Sequence, residues 1–400
     1  MKILIAPDSY KGCLTALEVG EAMKQGFAGW CPDAEIFLVP MADGGEGTTL
    51  ALAQATRGSL EYRWVTDPLG QPVEAYFGVL GGSKTAVVEV AQASGLPLVP
   101  EDKRNPLLTT SFGTGELVKE ALDYGCDSLI MGIGGSATND GGMGLLSALG
   151  VKFLDQEGQP LTGSGINLRK IHTIDIAGLD QRLAGMTVKV ACDVTNPLCG
   201  PKGASAVYGP QKGAAPSMVE ELDRGLAHFA YKIKEFLGVE VGSLPGGGAA
   251  GGIGAGLVAF LQAQLVPGVD LIIEATGMEK LAAQADLVLT GEGRTDGQTR
   301  YGKAPAGVAQ LAKRYGKPVI CISGSLGEGW EQVHGAGIDA VFSVCPGPLT
   351  LAEAMNDAAK LIRLTTLQVA RLWQASFRRQ ENFIKPVTIS GVRKYDKLVK

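Results

Sequence analysis

The chain has 400 residues, 45% hydrophobic and 19% charged, with a net charge of −5. That length exceeds one ordinary core and predicts two domains, while the composition excludes a disordered or fibrous chain. The acidic balance leaves no whole-chain footprint for nucleic acid, and the longest uncharged apolar run, 246–261, is shorter than a membrane span.

In chain order, the first unit is the strand "KILIA", the polar loop "PDSYKGCL" and the helix "ALEVGEAMKQGF", opened by a capping box at Thr15 and Glu18. "EIFLVP" is a second strand, ending in the loop "MADGGEGT". A short helix and strands around 60–66, 73–80 and 85–90 follow, then a helix over 113–125 with a glycine stop. "DSLIMGIGG", "TVKVACDVT" and "ADLVLTGEGRTDGQT" repeat the pattern of an apolar strand running into a polar glycine loop. The helix "APAGVAQLAKRYG", with Pro305 near its start, and the strand in "KPVICISGS" follow the last of these. The alternation predicts an α/β class: two α/β domains with mainly parallel sheets. The first and last units read as one Rossmann-like domain, 1–67 plus 285–376, with 68–284 inserted as a second α/β domain. Residues 377–400 carry seven basic and two acidic side chains and read as a solvated or disordered basic tail. An RNA or membrane contact for that tail has little behind it, so no nucleic-acid or membrane partner is expected.

Seven cysteines without a C-x-x-C and three scattered histidines argue against a zinc site or a disulfide framework. They fit a reducing cytoplasm. The N-terminal apolar run is broken by Pro7 and Asp8, too early for a signal peptide. Nothing in the sequence speaks to oligomeric state.

Three glycine-rich stretches invite a nucleotide reading. In "GIGGSATNDGG", Gly132, Gly134 and Ala137 fit G-x-G-x-x-[GA] after a strand, and Asp155 lies where a ribose-binding acid could sit. That keeps open an NAD(P)-dependent oxidoreductase of a small hydroxy acid, with Gly132–Ala137 as its dinucleotide turn. Against it, "NDGG" delays the helix that should begin inside the motif. The same loop, with Ser136 and Thr138, also suits a phosphate nest at the start of the helix "GMGLLSALG", or it is a structural turn. "GQTRYGKA", 297–304, looks like a P-loop but has Ala304 where Ser or Thr should bind Mg²⁺. "GGGAAGG" at 246–252 reads equally as a hinge or close helix packing.

Seven carboxylates fall in strand-end loops: Asp8, Asp43, Glu46, Asp140, Asp193, Glu292 and Asp296. Ligands of open α/β sheets sit beyond the carboxyl ends of the strands. Asp and Glu without His or Cys suit a hard cation such as Mg²⁺. Lys11 and Arg294 share these loops and can meet a moving phosphoryl charge. The residues alone therefore point to a Mg²⁺-dependent phosphotransferase acting on a small anion.

"MKILIAPDSYKG", "VPMADGGEGT", "GIGGSATNDGGMG", "CDVTNPLCGP", "GGGAAGGIGAG" and "TGEGRTDGQT" together resemble the bacterial glycerate kinase type 1 family, in its order and over about residues 1–376. The resemblance implies ATP-dependent phosphorylation of D-glycerate to 2-phosphoglycerate, with the active site in the interdomain cleft between the two α/β domains. It implies that Asp8, Ser9 and Lys11 face glycerate, with Asp43 in the same cleft. Asp193 and Asn196 become candidates for the Mg²⁺–phosphate region, with Asp193 as metal ligand. Glu292 and Arg294 would hold substrate, and Asp296 would be the general base, with Lys11 and Asp193 completing the catalytic set. Gly134, Gly135, Ser136, Ala137, Thr138 and Asn139 would hold the ATP phosphates. The tail from 377 departs from the family pattern.

Overall fold

The structure is a computed structural model; it describes residues 1–383 except Asp43 and Glu46, with backbone alone from 376. Two sheets organise it. The first is wholly parallel, in the order Ala340–Ser343, Val319–Ser323, Leu287–Gly291, Lys2–Pro7, Glu35–Leu38. The second runs Gln264–Val266, Thr187–Ala191, Ser128–Gly132, Thr85–Glu89, Pro72–Val79, Ser59–Thr66. Its first four strands are parallel and the last two are added antiparallel. The α/β class with mainly parallel sheets is therefore as expected. Ser59–Thr66 pairs in the second sheet, so the division between sheets runs between Leu38 and Ser59, ahead of the expected boundary at 67.

Side chains alternate across each strand, which gives the first sheet two covered faces. Ile3 and Ile5 pack with Leu287 and Leu289 under the helices Ala16–Ala28 and Ala358–Phe383, through Val19, Met23, Phe27, Leu361 and Ile362. Leu4 and Ala6 turn the other way, into a cluster that also holds Val87, Ile130 and Ala191 of the second sheet. The two sheets thus share a core. The helices Thr48–Thr56 and Gly268–Thr276 touch each other and contribute Leu52, Val269 and Ile272 to that shared layer. Each fully buried side chain of this size contributes about 1.5–3 kcal/mol. The far face of the second sheet carries the largest cluster, with Phe77, Leu117, Met131, Phe229 and Ile253.

The capping box at Thr15 is formed: its side chain accepts from Glu18 N, while Glu18 accepts from Thr15 N at 2.8 Å. The helix Ala358–Phe383 runs through position 377, so the expected start of the tail falls inside a helix. Residues 384–400 lie outside the described residues. Among the described residues no helix is long and apolar enough to cross a membrane.

Candidate active site

Pro7 lies opposite Gly291 in the parallel register, so Asp8 and Glu292 leave their strands side by side. Asp8 N donates to Gly291 O at 2.8 Å, and Ser9 N to the Asp8 carboxylate at 2.6 Å. A third loop joins them, because Gly324 N donates to Glu292 O at 3.1 Å. A side chain at Gly324 would strike Gly293 O at 2.5 Å. Tyr10 anchors the cluster from beneath; it is buried and its hydroxyl donates to Ile322 O at 2.9 Å. Lys11 stands exposed at the rim.

The "TGEGRTDG" stretch divides its charges. Glu292 is buried, and its Oε1 accepts from Thr299 Oγ1 at 2.6 Å and Thr295 Oγ1 at 3.0 Å. Ser323 Oγ lies 2.6 Å behind Thr295 Oγ1. Burial pushes the Glu292 carboxyl up, against the lowering effects of Thr299, Lys303 and Thr295. Asp296 and Arg294 are more open, with Arg294 Nε 3.7 Å from Asp296 Oδ2. Asp296 Oδ1 accepts from Gln298 N at 2.9 Å. Lys303 completes the group, its Nζ 3.6 Å from Glu292 and 3.8 Å from Asp296. The sequence reading passed over Lys303 because "GQTRYGKA" fails as a P-loop. Its signal was present all the same: a lysine just ahead of the helix Ala304–Arg314, in the loop that follows the acids.

The loop from Val39 to Gly47 ties this cluster to the second sheet. Met41 N donates to Pro7 O at 2.9 Å. Gly44 rests against Ala191, and a side chain at Gly134 would meet Gly45 Cα at 3.0 Å. Four residues span at most about 14 Å, so the Asp8 loop and the Gly134 loop lie near each other. Glu89, buried at the end of its strand, fixes the arrangement. Its carboxylate accepts from Gly47 N at 3.1 Å and Thr49 N at 2.5 Å, which ties the second sheet to the start of the helix Thr48–Thr56. Asp43 lies outside the described residues, as does Glu46. Asp193 is exposed, and its Oδ1 accepts from Gly268 N at 3.0 Å. The Asn196 side chain is held between Lys202 O at 2.8 Å and the Tyr208 hydroxyl at 2.7 Å.

"GIGGSATNDGG" is mostly interior. Gly134 is half-buried and Gly135 exposed, whereas Ser136, Ala137, Thr138, Asn139 and Asp140 are buried. Ala137 N donates to Ser94 O at 2.9 Å, and the Asn139 amide to Ser205 Oγ at 3.0 Å. Asp140 accepts from Ser111 N, Ser111 Oγ, Gly142 N and Gly144 N at 2.7–3.2 Å. Burial raises its pKa while those donors lower it. The anion expected at the head of the following helix is thus the protein's own carboxylate. The open stretch of the loop is Gly134–Gly135, where Gly135 has φ +71°. The sequence reading also missed Lys212, whose Nζ enters this loop from 74 residues beyond Thr138. The glycines of 246–252 are packing devices: Gly251 O accepts from Gly141 N at 3.0 Å, and Gly251 presses on Thr138 O.

The dinucleotide turn does not form. The next helix begins only at Met143, and Asp155 closes a turn by accepting from Glu157 N at 3.0 Å and Gln159 N at 2.7 Å. Its strand, Lys152–Leu154, pairs with Thr173–Asp175 in a separate two-stranded sheet. The oxidoreductase alternative therefore has no support.

Carboxylates and cations gathered where two α/β lobes bring their strand ends together make the layout of an enzyme for small anionic substrates. Comparison with known proteins is more specific. The family described as "Glycerate kinase family" matches residues 3–374. A relative from Escherichia coli K12 named glycerate 2-kinase is 53% identical over 358 residues, 90% of this chain and 94% of its own. One from Halalkalibacterium halodurans named glycerate kinase is 52% identical over 368 residues, 92% of this chain and 97% of its own. A crystal structure assigned as glycerate kinase 2 of Salmonella typhimurium LT2 superposes with a TM-score of 0.88 at 51% identity, over 94% of this chain and 99% of its own. The chain belongs to the glycerate kinase family.

Proposed function

We propose that this chain transfers the γ-phosphoryl group of ATP to the 2-hydroxyl of D-glycerate, giving 2-phosphoglycerate and ADP. The supporting observation is the set Asp8, Glu292, Arg294, Asp296 and Lys303 on adjacent strand ends, in a chain 53% identical to a relative named glycerate 2-kinase. Asp296, partly open and beside two cations, is the base that takes the 2-hydroxyl proton. The freed oxygen attacks the γ-phosphorus as its bond to the β-phosphate oxygen breaks, and ADP carries away the electron pair. Lys11 and Arg294 bind the glycerate carboxylate, Asp8 accepts from a glycerate hydroxyl beside Ser9, and Lys303 meets the phosphoryl charge. Glu292, buried and hydroxyl-bound, holds Lys303 in place. The open Gly134–Gly135 stretch of the Gly134–Asn139 loop receives the phosphates.

Among the described residues no three His, Cys, Asp or Glu side chains gather into a protein-only metal cage. Mg²⁺ does not need one; with nucleotides it takes one or two carboxylates, waters and phosphate oxygens. Asp193, an exposed carboxylate at a strand end, fits that role. The ion would neutralise the phosphates as charge shifts toward the leaving oxygen. We place the reaction in the cytoplasm, in keeping with seven free thiols.

The test is ³¹P NMR of the protein with Mg²⁺-ATP and D-glycerate. A growing 2-phosphoglycerate signal with ADP is expected. A 3-phosphoglycerate signal would overturn the regiochemistry, and no turnover by folded protein would overturn the kinase.

A further inference from the structure

Lys212 ends a single turn, Pro210–Lys212, between the helices Ala204–Tyr208 and Pro216–Leu237. Its side chain is 2% exposed, rare for a lysine. Gly213, with φ +91°, seats the turn against the Arg104 backbone, so the lysine enters from a fixed base. Nζ donates to Ser136 Oγ at 2.8 Å and to Thr138 O at 2.6 Å. These acceptors flank Ala137 and follow directly on the exposed Gly135. Burial brings the amine down to about 7, with the charge of Asp140 opposing.

The bond to Ser136 has a directional consequence. A hydroxyl oxygen that accepts from an amine must aim its own proton at a different acceptor. Ser136 is the first buried residue of the loop and follows directly on its open part. We propose that Lys212 is a positioning residue for nucleotide binding: by holding Thr138 O and Ser136 Oγ it fixes the Gly134–Gly135 backbone and turns the Ser136 hydroxyl into a donor to a phosphate oxygen of ATP. This rests on the reading above that the Gly134–Asn139 loop receives the phosphates.

Steady-state kinetics of Lys212→Met, Ser136→Ala, Lys212→Met/Ser136→Ala and Gly135→Ala test it, each substrate varied with the other saturating. Lys212→Met should raise KM for ATP about tenfold, with KM for D-glycerate within about twofold of wild type. That split is beyond a merely structural lysine, whose loss would damage both substrates alike. Ser136→Ala should act in the same direction, and the double variant should add little to either, because the two side chains work as one unit. Should Lys212→Met fail to fold, Ser136→Ala still decides, since it removes one oxygen; an unchanged KM for ATP overturns the proposal. Gly135→Ala separates the layers of the argument, because its φ of +71° strains any side chain. If it raises KM for ATP while Lys212→Met does not, the loop reading stands and the role of Lys212 falls. If it moves only KM for D-glycerate, the loop reading itself falls.

Discussion

Replacing Asp140 tests whether this carboxylate is architecture or chemistry. Its Oδ2 accepts from Ser111 N at 2.9 Å, Ser111 Oγ at 2.7 Å and Gly144 N at 3.2 Å, and its Oδ1 from Gly142 N at 3.1 Å. All are buried, so Asp140→Ala strands four donors. Each buried orphan costs about 1–3 kcal/mol; allowing for partial rescue by a water in the vacated space, the variant should lose roughly 4 kcal/mol or more. Asp140→Asn is milder. With its carbonyl oxygen in the Oδ2 position it keeps three acceptances, loses one to a donor–donor clash at Gly142, and should cost roughly 2 kcal/mol. Urea unfolding followed by circular dichroism measures both, with an unchanged m-value showing that the loss is one of stability. If Asp140→Ala unfolds within about 1 kcal/mol of wild type, or if Asn is as damaging as Ala, the argument from four hydrogen bonds fails.

Asp296→Asn should lower kcat by about two orders of magnitude or more with KM for ATP little changed; wild-type turnover would remove it as the base. Lys303→Met should lower kcat about tenfold and move the acidic limb of the pH–rate profile upward, since the buried Glu292 loses a cation 3.6 Å away that lowers its carboxyl; an unmoved limb would show that Lys303 does not govern it. Gly251→Ala places a methyl group against Thr138 O on a backbone at φ +70°, so a loss of at least about 2 kcal/mol is expected in the same urea assay, and a neutral result would refute the close packing of the two glycine loops. The folded pKa of Lys212, about 7, lies below its ordinary 10.5. Between those values the unfolded chain holds a proton that the folded chain lacks, so stability should rise with pH by about 1 kcal/mol per unit from this group. Lys212→Met should remove that rise, which urea midpoints at about pH 7.5 and about pH 9 would reveal.

Local signals were legible in the sequence. The apolar runs of the parallel strands, the Thr15–Glu18 box and the glycine stop at Gly125 each depend on residues a few positions apart, and each stands where expected. The strand-end loops were legible for the same reason, because a buried run followed by Gly and Asp marks an exit from a sheet. What stayed hidden depends on partners far along the chain. Lys212 reads as a surface lysine until Ser136 and Thr138 are beside it. Glu89 reads as the end of an apolar strand until it meets Gly47 and Thr49, some 40 residues earlier. Asp140 was counted with the reactive acids, because adjacency to glycine does not tell a capping carboxylate from one that meets substrate. The edge strand Ser59–Thr66 was assigned to the first lobe because chain order does not say which sheet a strand will join.

The pairing of Lys2–Pro7 with Leu287–Gly291 also sets a schedule for the ribosome. Thr290 and Ala6, hydrogen-bonded at 2.8 Å, are 284 residues apart. At a synthesis rate of about 5–20 residues per second, the first strand waits roughly 15–60 s for that neighbour. The second sheet, drawn from residues 59–266, emerges whole within this interval. The strand Lys2–Pro7 has apolar side chains on both faces, and its early neighbours are the helix Ala16–Ala28 and the short strand Glu35–Leu38. A nascent chain of this protein therefore carries an unpaired hydrogen-bonding edge for most of its synthesis, the kind of exposure that makes growing chains prone to aggregate.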